Sequence, residues 1–210
     1  MQPRTRGGDM AVHRRLERQA RREQIVNATL DLVAEYGVRG TTLSRIAQAI
    51  DLTTPALYAH FSNRQEILLA TLDLVFEKVH AIHRLTNEGT ALERLREIAH
   101  RHSQLVSSKG AGVLPAMFEF IAAPPAEGLR EALGANHLML VDELAEIVRE
   151  GQREGTILER VDPEQIAWLL VSRAWTEDVS QLMGTTDGWT EDRSNRMLEL
   201  ILSSIEVPHA

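Results

Sequence analysis

Where apolar residues recur along this chain, they recur at helical spacing. Ile25, Ala28, Leu32, Val33 and Tyr36 mark a first amphipathic helix beginning near Arg18, and Gly37 is its natural stop. Leu43, Ile46, Ala47 and Ile50 fall at i, i+3, i+4 and i+7, a short second helix that Thr42 can cap. Asp51-Leu52-Thr53 then leads to Thr54-Pro55, where a capping hydroxyl precedes a proline whose missing N–H costs nothing in a first turn; this predicts a third helix over 54–60. Asn63 with Glu66 three residues on predicts a long fourth helix reaching Leu85. The periodicity stays helical over 90–107, 112–122, 127–151, 163–183 and 190–205, interrupted by Lys109-Gly110, Pro124-Pro125, Gly155 and the turn from Gly184 to Gly188. Asp162-Pro163-Glu164-Gln165 combines an N-cap, an N1 proline and an N3 glutamine. No segment alternates with a period of two, so the expected fold is all-α. Residues 1–17, with Gly7, Gly8 and little apolar period, read as a flexible basic arm.

Charge sharpens this picture. The net charge is −7, yet residues 1–70 hold ten Arg, no Lys and seven acidic side chains, whereas the other 140 hold 13 basic and 23 acidic ones. A basic head on an acidic body suits a chain that meets nucleic acid at one end only. No run approaches the roughly 18 apolar residues of a membrane span, and the Arg-rich start is followed by no apolar signal segment, so the expected location is cytoplasmic and no membrane partner is expected. The absence of cysteine excludes a disulfide framework and thiolate chemistry.

Two short helices joined by a tight turn have the dimensions of a DNA-reading helix-turn-helix. If Leu52, Leu57 and Phe61 fill its core, then Thr53, Thr54, Ala56, Tyr58 and His60 face outward. Hydroxyls, a methyl, a phenol and an imidazole suit base edges, thymine methyls and phosphates.

The stretch from Ala34-Glu35-Tyr36-Gly37 through Leu68, including Thr41-Thr42-Leu43-Ser44-Arg45-Ile46-Ala47-Gln48, Leu52 to Phe61 and Asn63-Arg64, closely resembles the DNA-binding region of the tetracycline-repressor (TetR) family. The resemblance implies that Thr42 caps helix two and touches phosphate, that Ser44 or Arg45 approaches the groove, that Thr54, Pro55 and Ala56 face bases, and that Tyr58, His60 and Arg64 hold the DNA backbone. Two positions depart from the family pattern. Asp51 stands where the family usually has glycine in the turn, which asks an aspartate to adopt the left-handed conformation. Ser44 stands where the prototype repressor has a base-reading arginine, so its operator does not carry over. The implied organisation is a basic arm (1–17), a three-helix DNA-binding domain (18–66) and a helical effector-binding and dimerisation domain (67–210). The implied partners are operator double-stranded DNA, a second copy of the chain and a small-molecule effector, with no cofactor.

In the body, Leu114, Met117, Phe118 and Ile121 form an apolar stripe with Phe120 off to its side, and Leu198, Ile201, Leu202 and Ile205 line the last helix, where core packing and a dimer interface are equally open. Candidate effector contacts are Met117, Phe118, Ile121, His137, Trp168 and Trp175. No charged cluster signals an ionic effector, so an apolar or mixed molecule is expected. His80, His83, His100 and His102, with Glu77 or Glu97, leave a metal-responsive regulator as one alternative. An architectural DNA-binding protein without effector is another. An enzyme would draw on Glu119, Glu127, His100 or His137, but no nucleophile–base pairing or phosphate loop is readable.

Overall fold

The computed structural model describes residues 6–84, 88–107 and 113–208, with side chains described over 13–81, 88–106 and 113–208. In chain order the helices are α1 (Arg6–Gly40), α2 (Leu43–Ala49), α3 (Thr54–Leu57), α4 (Arg64–Arg84), α5 (Ala91–Ser107), α6 (Val113–Ile121), α7 (Leu129–Glu154), α8 (Pro163–Leu182) and α9 (Glu191–Ile205), with a 3-10 turn at Pro125–Glu127. Among the described residues, β-pairing is limited to an isolated antiparallel bridge between Ile157 and Glu206. The chain is all-α.

One boundary moves far from its expected place. α1 reaches back to Arg6, through residues expected to form a flexible arm. Ala11, Arg14, Arg15, Leu16 and Glu17 are good helix formers, the two glycines fall in the first turn, and His13 pairs with Glu17 one turn on at 3.1 Å. At its other end α1 is broken at Gly37, whose φ of 69° and ψ of 171° are not helical.

The chain forms two compact units: residues 1–74 with 115–130, and residues 75–114 with 131–210. The first unit buries Ile25, Val26, Ile46, Ala47, Ile50, Leu57, Phe61 and Ile67 in a common core. It also takes in most of α6 and the 3-10 turn, a segment expected in the body. α6 buries Val113, Ala116 and Phe120, with Ala123 buried just past its end, and leaves Leu114, Met117, Phe118 and Ile121 only part-buried. The expected stripe followed side-chain bulk. The observed face instead sets Val113 and Ala116 beside a single large anchor, Phe120.

The second unit is built on α5, α7, α8 and α9. Leu198, Ile201, Leu202 and Ile205 of α9 pack into its core with Leu95, Ile98, Leu170 and Val171. Of the two roles left open for these four residues, they therefore take the intrachain one, and the apolar side chains that α9 exposes are Met197 and Leu200. α8 exposes Trp168, Leu169 and Leu182, and Met183 just past its end is exposed as well. This unit also buries charge that no sequence pattern announced. Arg173 donates to Ser194, to the Ala99 carbonyl at 3.3 Å and to Glu177 at 3.4 Å, while Ser103 donates to Glu177 at 3.0 Å and Asp178 meets His102 at 3.1 Å. Burial pulls the Arg173 pKa down while Glu177 and Asp178 pull it up, so the pairing offsets part of the desolvation.

Candidate nucleic-acid interface

The Thr42 hydroxyl caps α2 by accepting from the Arg45 amide at 3.3 Å. After α2 the chain turns at Asp51, whose φ of 53° places it in the left-handed region, as its position in the turn required. The turn is held by Leu52, whose amide donates to the Ala47 carbonyl at 2.9 Å. Thr53, rather than Thr54, is the N-cap of α3, and its hydroxyl makes no cap hydrogen bond. Thr54 opens the helix, with Pro55 in its first turn, where a missing N–H breaks no helical bond.

α3 is four residues long and far too short to persist alone. Leu57 and Phe61, 1% and 2% exposed, anchor it to the core, with Leu52 packed alongside. That anchoring fixes what faces outward. Ser44, Thr53, Pro55 and Tyr58 are exposed, and Thr54, Ala56 and His60 lie part-buried beside them. Leu57 and Phe61 are thus inward and Thr53 and Tyr58 outward as expected, while Leu52, Thr54, Ala56 and His60 lie between the two.

Arg64 is placed differently from expectation. Arg64 donates from Nε to the Thr41 carbonyl at 2.7 Å, from a second nitrogen to the Val38 carbonyl, and from a third to Glu127 at 2.8 Å. These carbonyls lie at the broken end of α1, where helical donors run out and a buried acceptor needs another partner. Arg64, expected to hold the DNA backbone, has its guanidinium engaged inside its own unit. Arg45 is exposed but braced, donating to the Gly40 carbonyl at 2.7 Å with its guanidinium 4.3 Å above the Tyr36 ring. Arg22 donates to the His60 carbonyl, pairs with Glu66 and lies 3.8 Å over the Phe61 ring, and Arg18 donates to the Ala59 carbonyl at 3.3 Å.

Glu119 completes this end of the unit by accepting from the Val38 amide at 3.2 Å. The φ of Gly37 favours glycine, and a Cβ there would lie 2.5 Å from the Glu119 Oε2 and push this carboxylate aside. Sequence reading missed Glu119 and Glu127 as head residues. Their partners stand 81 and 63 positions away, and no local period connects them.

Burial first, then Arg18, Arg21 and Arg22, hold the His60 imidazole below its usual pKa, so it is neutral near pH 7. Glu66 is held below the usual carboxylate range chiefly by the Ser62 amide, which donates to it at 2.6 Å. The Glu66 amide in turn donates to Asn63 at 2.8 Å, so the predicted capping box closes with its second half one residue early.

The six candidate effector residues divide between the units. Met117, Phe118 and Ile121 belong to the first, and His137, Trp168 and Trp175 to the second. The latter three meet: the His137 ring lies 5.5 Å from the Trp168 ring and 5.6 Å from that of Trp175. Burial pushes the His137 pKa down. Among the described residues the candidate metal ligands do not converge. His80 pairs with Glu143 at 3.0 Å, His102 with Asp178, and Glu97 with Arg101, while the side chain of His83 lies outside the described residues. Among the described residues no cluster of three or more His, Asp or Glu side chains is placed to hold a metal ion, and no helix is long and apolar enough to cross a membrane.

Residues 25–71 match the model of the family described as bacterial regulatory proteins, tetR family. The tetracycline repressor protein class C of Escherichia coli is 28% identical over 94 residues, which cover 44% of this chain and 43% of that protein. The match thus spans less than half the length of this relative. The HTH-type transcriptional repressor KstR2 of Mycolicibacterium smegmatis is 25% identical over 172 residues, 74% of this chain and 77% of the relative. Among solved structures, a TetR-family transcriptional regulator from Cytophaga hutchinsonii superposes with a TM-score of 0.77 over 92% of this chain and 98% of its own, at 19% identity, a likeness of fold.

Proposed function

We propose that the chain, whose residues 25–71 match the model of the tetR family of bacterial regulatory proteins, is a DNA-binding transcriptional repressor that a small apolar or mixed molecule releases from a near-palindromic operator. The observation that carries this reading is the outward face of α3, where Thr53, Thr54, Pro55, Ala56, Tyr58 and His60 surround the buried Leu57. In this reading Thr54, Pro55 and Ala56 meet base edges, and Thr53 brings a hydroxyl not spent on capping. Thr42, Ser44, Tyr58 and His60 border the groove and its phosphates. Arg64 and Arg45 act by bracing the carbonyl end of α1. The working form is a homodimer in the cytoplasm, presenting two copies of α3 about 34–36 Å apart to successive major grooves.

Effector binding and dimerisation are assigned to the second unit. The half-buried His137 between two indoles supports an apolar or mixed ligand, and the names of the relatives, a tetracycline repressor among them, support repression. The carboxylates on which an enzyme would draw are occupied, Glu119 by the Val38 amide and Glu127 by Arg64, and the relatives are regulators rather than enzymes.

The test is selection of bound DNA from a random pool by the wild type and by Thr54 and Ala56 variants. A two-fold-symmetric site is expected from the wild type, with altered base preference in the variants. A chain that enriches no sequence would overturn the reading.

A further inference from the structure

Beside the break in α1 at Gly37 lies a cleft of about 310 Å³, wholly within the first unit, where the end of α1 meets the end of α6 and the residues just after it. Its volume is at the lower end of small-molecule sites, which run from about 300 to 1,000 Å³. Ala122, Ala123 and Pro124 give it an apolar wall, and Tyr36 stands on the side of α1. The charged residues of its lining are Glu35, Arg39 and Glu119. Glu35 and Arg39 are exposed, whereas Glu119 is part-buried, and a part-buried charge is screened far less than an exposed one. Glu119 takes the Val38 amide on Oε2, and among the described residues its Oε1 has no donor. The break itself adds to the negative field. An unbroken helix would return the Val38 amide to the Ala34 carbonyl, which belongs to the cleft lining, and the carbonyl end of a helix carries about half a negative charge. Glu35 raises the Tyr36 pKa, by a hydrogen bond first and by its charge second, against the opposite pull of Arg45.

We propose that this cleft is a second small-molecule site, in the head and separate from the residues assigned to the effector in the second unit, and that it takes a compact organic monocation of the primary alkylammonium class. The ammonium donates to Glu119 Oε1 and to the carbonyl end of α1, Glu35 adds charge at the rim, and the alkyl chain lies on Ala122, Ala123 and Pro124. A divalent metal fits poorly, because among the described residues no third His, Asp or Glu joins these two carboxylates. A neutral molecule leaves the negative field uncompensated, and an anion meets it head on. The proposal does not depend on α3 reading DNA. Its place nonetheless bears on the head: the Tyr36 ring in the cleft wall carries the guanidinium of Arg45, from α2, 4.3 Å from its centre, and Glu119 is the carboxylate that closes the end of α1. An occupant therefore strengthens the tie between α6 and the end of α1 within the first unit.

The chain holds 2 tyrosines, Tyr36 in the cleft and Tyr58 on the outward face of α3, so the full-length protein labelled with 3-fluorotyrosine gives a fluorine signal for each, assigned with Tyr58→Phe. The labelled protein is titrated at pH 7 and constant ionic strength with n-butylammonium chloride, and in parallel with n-butanol and with sodium butyrate. The ammonium is expected to shift the Tyr36 signal saturably and leave that of Tyr58 in place, while the alcohol and the carboxylate move neither. Glu119→Gln keeps an acceptor for the Val38 amide but loses the charge, and is expected to weaken n-butylammonium binding about 10- to 100-fold. Glu35→Gln, at an exposed position, is expected to weaken it about two- to fivefold. Glu159→Gln, an exposed acidic position in the second unit, is expected to leave it unchanged. The absence of a saturable Tyr36 shift overturns the proposal, as does an equal shift by n-butanol, which would make the cleft a mere apolar crevice, or a parallel shift of both tyrosines. Unchanged affinity in Glu119→Gln, or in Glu35→Gln where the first variant does not fold, overturns it as well. Failure of the amine to bind leaves the operator reading standing, and failure to select any DNA site leaves this one standing.

Discussion

A broken helix end leaves carbonyls that something must satisfy, and at Val38 and Thr41 that something is Arg64. The Thr41 residue is fully buried, so water does not readily replace the lost donor. Arg64→Ala is expected to cost about 1–3 kcal/mol of stability, the range for leaving a buried acceptor unpaired. A lysine at 64 recovers only part, because one ammonium cannot reproduce the planar fork. Tyr58→Phe gives the opposite signature, with stability within about 0.5 kcal/mol of wild type, as for an exposed side chain, and weaker binding to all DNA. Chemical denaturation beside DNA titration separates the two. At this scale the sequence discloses residue type but not partner. The outward hydroxyls and Tyr58 of α3 were legible because Leu57 and Phe61 fix the register locally. The role of Arg64 was not, because Glu127 reaches it only through the tertiary fold.

Helix starts are the most local structures in this chain and were read most directly. Asp162 accepts from the amides of Glu164 and Gln165 at 2.9 and 3.2 Å, opening α8 at the predicted residue. These bonds hold the Asp162 carboxyl below its usual range, the Gln165 amide first. A carboxyl depressed in the folded state adds stability above its unfolded pKa and loses it as pH falls through the folded value. Asp162→Ala is therefore expected to lower Tm at pH 7, with the gap to wild type closing as pH drops below about 3.9. Helix faces are less legible than helix starts. The apolar stripe of α9 fits cover by its own chain or by a second copy equally well, and only packing against α5 and α8 decides for the former. Disruption of a dimer thus falls to the exposed set. Leu200→Glu, at a side chain 70% exposed, is expected to leave Tm nearly unchanged and shift sedimentation from dimer to monomer. Leu198→Glu, at 1% exposed, is expected to unfold the second unit instead. The N-terminal half of α1 was misread for a related reason: with no apolar stripe to mark it, its helix rests on propensity and ion pairs.

For the whole molecule the governing quantity is a coupling free energy. If an effector in the second unit lowers operator affinity by a factor typical of such systems, about 5- to 150-fold, operator must lower effector affinity by the same factor. Both arms can be titrated with any compound that raises Tm. Trp168→Ala is expected to blunt release while leaving DNA affinity without effector unchanged. Unequal factors in the two arms, or equal effector affinity for free and DNA-bound protein, would rule out release by that compound. The chain passes between its two units three times, within α4 at Leu74–Val75, within α6 at Leu114–Pro115 and within α7 at Arg130–Glu131, so every covalent link between them is helical.

That interleaving has a consequence for how the protein is made. A ribosome delivers Arg64 long before Glu127, and the head cannot close its last ion pair until residues 115–130 have been added. At about 5–20 residues per second the interval from residue 64 to residue 130 lasts about 3–13 s. Through it the nascent head waits with the Val38 amide and the Arg64 guanidinium lacking their carboxylates. A fragment ending at residue 74 would carry every residue of the proposed DNA-reading face yet remain in that waiting state. The head is therefore not a cassette that a single cut can transplant into another protein; it travels only with the distant segment that completes it.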